Sequence, residues 1–151
     1  MDQCSVQAGE VAWPSVRMSV HVQGEQEAER FKWIESEKAG RDLGEAAIRS
    51  WVHTHWNGFL RARWLEHLQG RTFWIELDHG DFGLLQKEFR DSALIDDILA
   101  LLKGGQENLN VLFWALDRGL PMNDVLEILL ALDINSRRIE FFLDSQLSRA
   151  S

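Results

Sequence analysis

Between Trp51 and Trp74, the stretch WVHTHWNGFLRARWLEHLQGRTFW gathers groups able to exchange protons, clamp an anion or ligate a metal: three histidines, three arginines and one glutamate beside four tryptophans. On a helix, His55, Arg63 and Glu66 fall within about 80° of one another, on the side that also carries His67, Val52, Trp56 and Phe59. If that face lined a pocket, His55, Glu66 and His67 would be its acid–base or metal-binding groups. Arg63 would be its anion clamp, and Arg61 would serve as a further ligand or partner contact. Ionisable groups on an apolar face must be paired or hydrogen-bonded, at functional sites and in structural networks alike. The simpler expectation is structural: Arg63 and Glu66, three residues apart, form an ion pair and the histidines bond inside the core.

No metal site and no cofactor are expected. Neither Glu-x-x-His nor His-Glu-x-x-His occurs, and His53 and His55 lie about 200° apart on a helix, too far to share one ion. HGDFG (residues 79–83) resembles the metal-binding Asp-Phe-Gly of protein kinases, but the Gly-rich loop and His-Arg-Asp are missing, so it is taken as a turn. No Gly-x-Ser-x-Gly supports Ser-His-Asp catalysis. No catalytic residue is assigned.

The elements around this stretch must position it. With 151 residues, 45% hydrophobic and 26% charged, the chain suits one domain with an ordinary core. The single cysteine, Cys4, excludes an intramolecular disulfide and fits a reducing compartment. No apolar run reaches the length of a membrane span, and no leader pattern opens the chain. A cytoplasmic protein without membrane contact is expected.

Charge is uneven. Residues 1–48 carry five Lys/Arg and nine Asp/Glu, residues 49–71 four and one, and residues 72–151 seven and fourteen. The balances of −4, +3 and −7 sum to the net −8. Only the central stretch is basic.

Residues 1–26 read as an extended arm or strand, with Val16, Met18, Val20 and Val22 alternating with polar residues. Its candidate partner is RTFWIEL (71–77), giving one short β pairing. Residues 27–151 read as a mainly α domain of about five or six helices. The region from Glu27 to Leu68 is helical, interrupted if anywhere near Gly40, Gly44 or Gly58. LLQKEFRDSALIDDILALLK forms the next helix, stopped by Gly104. ENLNVLFWALDR ends at Gly119, PMNDVLEILLAL opens at Pro121, and SRRIEFFLDSQL is capped by Asn135. Trp56, Phe59 and Trp114 are core candidates.

The segment RGLPMNDVLEILLALDINSRRIEFFLD, about a fifth of the chain, resembles a helix-turn-helix, with Asp133 where such turns usually place glycine. The resemblance implies nucleic-acid binding. Four Arg against seven Asp/Glu from Gly104 onward oppose it, so no duplex DNA binding is expected. For single strands, the arginines and tryptophans of residues 49–74 have the right types, provided that the rings are exposed.

The expected function is non-catalytic: a helical protein acting by protein–protein interaction or regulation, through another chain or self-association. The alternatives are a small enzyme or ligand binder using a His/Glu/Arg pocket, with a small anionic ligand, and a nucleic-acid-binding protein with a helix-turn-helix-like C-terminus.

Overall fold

The computed structural model describes residues 16–136 and 138–141. The arm expected over residues 1–15, with Cys4, lies outside them. Among the described residues the order is β1 (Arg17–Met18), α1 (Val20–Ala39), α2 (Glu45–Gln69), β2 (Phe73–Trp74), a 3-10 turn (Ile75–Leu77), α3 (Leu84–Glu88), α4 (Ile95–Lys103), α5 (Asn108–Asp117) and α6 (Met122–Leu132). This is the expected mainly α bundle with one short β pairing. β1 and β2 run parallel, with Arg17 opposite Phe73 and Met18 opposite Trp74. No helix of the described residues is long and apolar enough to cross a membrane.

The alternating valines were expected to extend the strand to Val22, but α1 begins at Val20. Ser19 caps it, its hydroxyl accepting from the Val22 amide at 3.3 Å. The Glu76 carboxylate, from the turn after β2, accepts from the Val20 amide at 2.7 Å and from the Ser19 hydroxyl. A remote carboxylate thus satisfies helix-terminal donors that alternation along the chain cannot reveal. From there Val20, Gly24 and Ala28, four apart, form the buried face of α1. Gly24 lies flat on the Trp56 ring, where a Cβ would stand 2.5 Å from Cζ3.

The long helical region breaks between Gly40 and Gly44, whose φ angles of 72° and 63° suit glycine. The Gly40 amide donates to Glu37 O and the Arg41 amide to Ser36 O, closing α1. α2 runs unbroken through Gly58, contrary to the kink expected there. Nothing lies within 4 Å of the place a Gly58 Cβ would occupy. Gly58→Ala should therefore raise stability by about 0.5–1 kcal/mol. Chemical denaturation checks this, and an unchanged or lower midpoint would refute the straight, open helix.

α2 is the central post, packed against α1, α3, α4 and β2. Trp51, Trp56, Trp64 and Trp74 are all buried; Phe59 and Trp114 are half-buried against the core. Two of the indoles find main-chain acceptors, as buried Trp requires: Trp56 donates to Ile139 O at 2.6 Å and Trp64 to Leu132 O at 2.7 Å. Base stacking on these four rings would require unfolding the core.

The helix expected from residue 84 to 103 is two. At FRDSAL the Ser92 amide donates to Phe89 O, and the Ser92 hydroxyl accepts from the Leu94 amide, turning the chain. The helix expected after Asn135 is absent over residues 138–141, which run irregularly across α2. There Phe141 meets Trp56 edge-on at 5.1 Å, and Ile139 supplies the carbonyl for the Trp56 indole. The rest of that expected helix lies outside the described residues. Asp133 takes the left-handed conformation (φ 46°), the geometry of a helix C-terminus that glycine usually fills.

Candidate functional site

The structure divides the five residues singled out in the sequence. His55, expected inward, faces solvent, its ring edge-on to Phe31 at 5.9 Å. Arg61 points to α5 instead, donating to Glu107 at 2.9 Å and to Gln106 O at 3.1 Å. Glu107 is the N-cap of α5, so this pair ties α5 to the central post.

Arg63, Glu66 and His67 converge on Trp74. Arg63 pairs with Glu66 at 3.3 Å and lies over the rings of Phe59 (4.9 Å) and Trp74 (5.5 Å). Glu66 accepts from the Trp74 indole at 3.2 Å. The guanidinium is thus used twice, by a carboxylate and by aromatic faces. Its Nε is buried without a hydrogen-bond partner among the described residues.

His67 is fully buried. Phe73 and Phe82 meet its ring edge-on at 5.0 and 5.2 Å, and Trp64 stacks on it at 6.0 Å. Its Nε2 faces the Asp78 carboxylate at 3.0 Å and that of Asp81 at 3.5 Å. The three residues have metal-ligand chemistry and spacing. Their hydrogen bonds fit a proton on Nε2 better than a metal ion. The Trp74 amide donates to His67 Nδ1 at 3.1 Å, so the lone pair of the neutral ring is at Nδ1 and its proton at Nε2. A metal on Nε2 would need that lone pair and would move the proton to Nδ1, against the Trp74 N–H. The carboxylates are also occupied: Asp78 accepts from the Gly80 amide (3.2 Å) and Asp81 from the His79 amide (3.1 Å). HGDFG is thus a turn locked by Asp81 and the preceding Asp78 onto a histidine of α2. Both ring nitrogens of His67 are engaged and its ring is fully buried.

A different surface stands out. α5 buries Val111 and Ala115, yet its opposite side shows Leu109, Phe113 and Leu116, at i, i+4 and i+7. In α6, Val125, Ile128, Leu129 and Leu132 are buried while Leu126 and Leu130 face solvent. These outward side chains are 60%, 59%, 60%, 42% and 79% exposed, in chain order. A helix apolar on all sides is normally buried on all sides. Only the fold reveals which apolar positions of these helices the chain itself leaves uncovered.

Among the described residues, an open cleft beside exposed Trp33 is lined by Ser36, Gly40 and Arg41, one beside Phe89 by Gln86 and Arg90, and one beside Trp56 by Val52, Asn57 and Glu140. Comparison with known proteins finds no matching family model, no matching curated protein and no matching solved structure.

Proposed function

We propose that the protein is non-catalytic and works by docking another protein chain onto the outer face of the α5–α6 hairpin. The observation that supports this is the exposed set Leu109, Phe113, Leu116, Leu126 and Leu130, on helices whose inner faces already complete the core. Exposed apolar surface of this kind costs solubility and marks interaction sites when clustered. Two packed consecutive helices with apolar ridges also suit a partner that contributes a helix. The full burial of His67 and the double engagement of Arg63 weigh against the acid–base pocket as the working site.

The test is the double substitution Phe113→Ser/Leu130→Ser. Both side chains face solvent, so the thermal midpoint should stay within a few degrees. Binding to a partner identified by photo-cross-linking from position 113, then purified and titrated, should weaken by about a hundredfold or more, roughly 2.7 kcal/mol. A purified partner that binds the double variant as tightly as the parent would overturn the proposal.

A further inference from the structure

The hairpin's apolar ridge is set in acid. Between Gly104 and Ser136 stand Glu107, Asp117, Asp124, Glu127 and Asp133 against the single cation Arg118. Glu107 is held by Arg61, and Arg118 lies over the Trp114 ring at 5.9 Å. Asp117, Asp124, Glu127 and Asp133 are all exposed, and among the described residues none of the four forms an ion pair. Asp117 sits one turn beyond Phe113 on the same side of α5, and Glu127 adjoins Leu126. By helical spacing Asp117 falls beside Phe113, and Glu127 and Asp133 fall beside Leu130, while Asp124 lies in the first turn of α6.

We infer that the chain received here is a basic amphipathic helix, with aliphatic side chains along one stripe and Lys or Arg on both flanks. This rests on the docking role proposed above and names its partner's chemistry. Rim charges of opposite sign speed encounter and fix register, whereas like charges across an interface cost several kcal/mol. That asymmetry rejects the other occupants. A second copy packed symmetrically would set carboxylates against carboxylates, in a chain of net charge −8. The chain's own ends match no better: residues 1–15 carry Asp2 and Glu10 without a cation, and residues 142–151 balance Asp144 with Arg149.

Three synthetic amphipathic helices with one leucine stripe, flanked by Lys/Arg, by Gln/Ser or by Glu, test the inference by fluorescence anisotropy on the full chain. The Lys/Arg peptide should bind about tenfold or more tighter than the neutral one and lose that margin as salt is raised. The glutamate peptide should not bind. Asp117→Asn/Asp124→Asn/Glu127→Gln should reduce the Lys/Arg peptide to the affinity of the neutral one. Glu88→Gln/Asp96→Asn/Asp97→Asn, which removes the same charge elsewhere, should change it less than about twofold. Phe113→Ser/Leu130→Ser should abolish both. Equal binding of the basic and neutral peptides would overturn the basic partner and leave the docking role standing. So would failure of all three peptides when the cross-linked partner still depends on Phe113. Self-association in sedimentation that Phe113→Ser dissolves would show a second copy instead and overturn the inference. Full indifference of every complex to Phe113 would overturn both proposals.

Discussion

Trp56→Ala is expected to cost the fold about 3–5 kcal/mol, lowering the melting temperature by roughly 10–15 °C in a chain of this length. The ring is buried, stacked on Phe59 at 5.6 Å with a 15° interplanar angle, and touched edge-on by Phe141. Its Nε1 also holds the strap of residues 138–141 through the Ile139 carbonyl. Truncation thus loses apolar burial, leaves a cavity and removes the acceptor's donor. Gly24 supplies a sharper test. In the parent, Gly24→Ala drives a Cβ into the indole and should cost about 1–3 kcal/mol. After Trp56→Ala the same methyl enters vacated space, so its cost should vanish. Denaturant titration of the four proteins should give a coupling above about 1 kcal/mol. Additive losses, or a Trp56→Ala loss below about 1 kcal/mol, would show that this ring is not packed on α1.

The second large effect is at His67. His67→Phe fills much of the same space between Phe73, Phe82 and Trp64, yet removes the acceptor of the Trp74 amide and the donor to Asp78. An orphaned buried amide costs about 1–3 kcal/mol, and the loss of the lock on the HGDFG turn adds to it. A total near 3 kcal/mol is expected, a large fraction of the roughly 5–15 kcal/mol that holds such domains folded. Long-range proton–nitrogen correlation in the parent should show the ring proton on Nε2. Zinc should change neither that spectrum nor the melting temperature. A proton on Nδ1, together with a zinc-dependent rise in melting temperature, would convert the trio into a metal site.

Much of the fold is legible in the sequence because its punctuation is local. Gly104 and Gly119 end helices where the sequence places their stops, Gly40 and Gly44 break the long region at two of its three candidate glycines, and residues 17–18, within an alternating run, pair with 73–74 inside the candidate partner RTFWIEL. The misses have two causes: contacts made from far away, and one local turn. Glu76 converts an alternating valine run into a helix start, and Ile139 runs irregularly across α2 to meet the Trp56 indole. Ser92 breaks a helical pattern that periodicity alone carries through. The site was less legible. A wheel gathers His55, Arg63 and Glu66, but it has no information on Asp78, Asp81 and Trp74, which arrive from a turn and a strand and claim His67. It also cannot distinguish a leucine buried by its own chain from one left uncovered, which is the whole difference between Leu129 and Leu130.

The contact between the start of α1 and Glu76 spans 56 residues of chain, and the β1–β2 pairing beside it is equally remote. The α1–α2 hairpin, by contrast, closes through the short turn at Gly40–Gly44. Closing a long loop costs chain entropy, and two-residue strands return little against it until the helices have already brought the ends together. Glu76 therefore acts as a latch on an assembled body. Interactions that form after the folding barrier act mainly on the rate of unfolding. Glu76→Gln is therefore expected to speed unfolding in stopped-flow measurements far more than it slows folding, which falls to the helical hairpin.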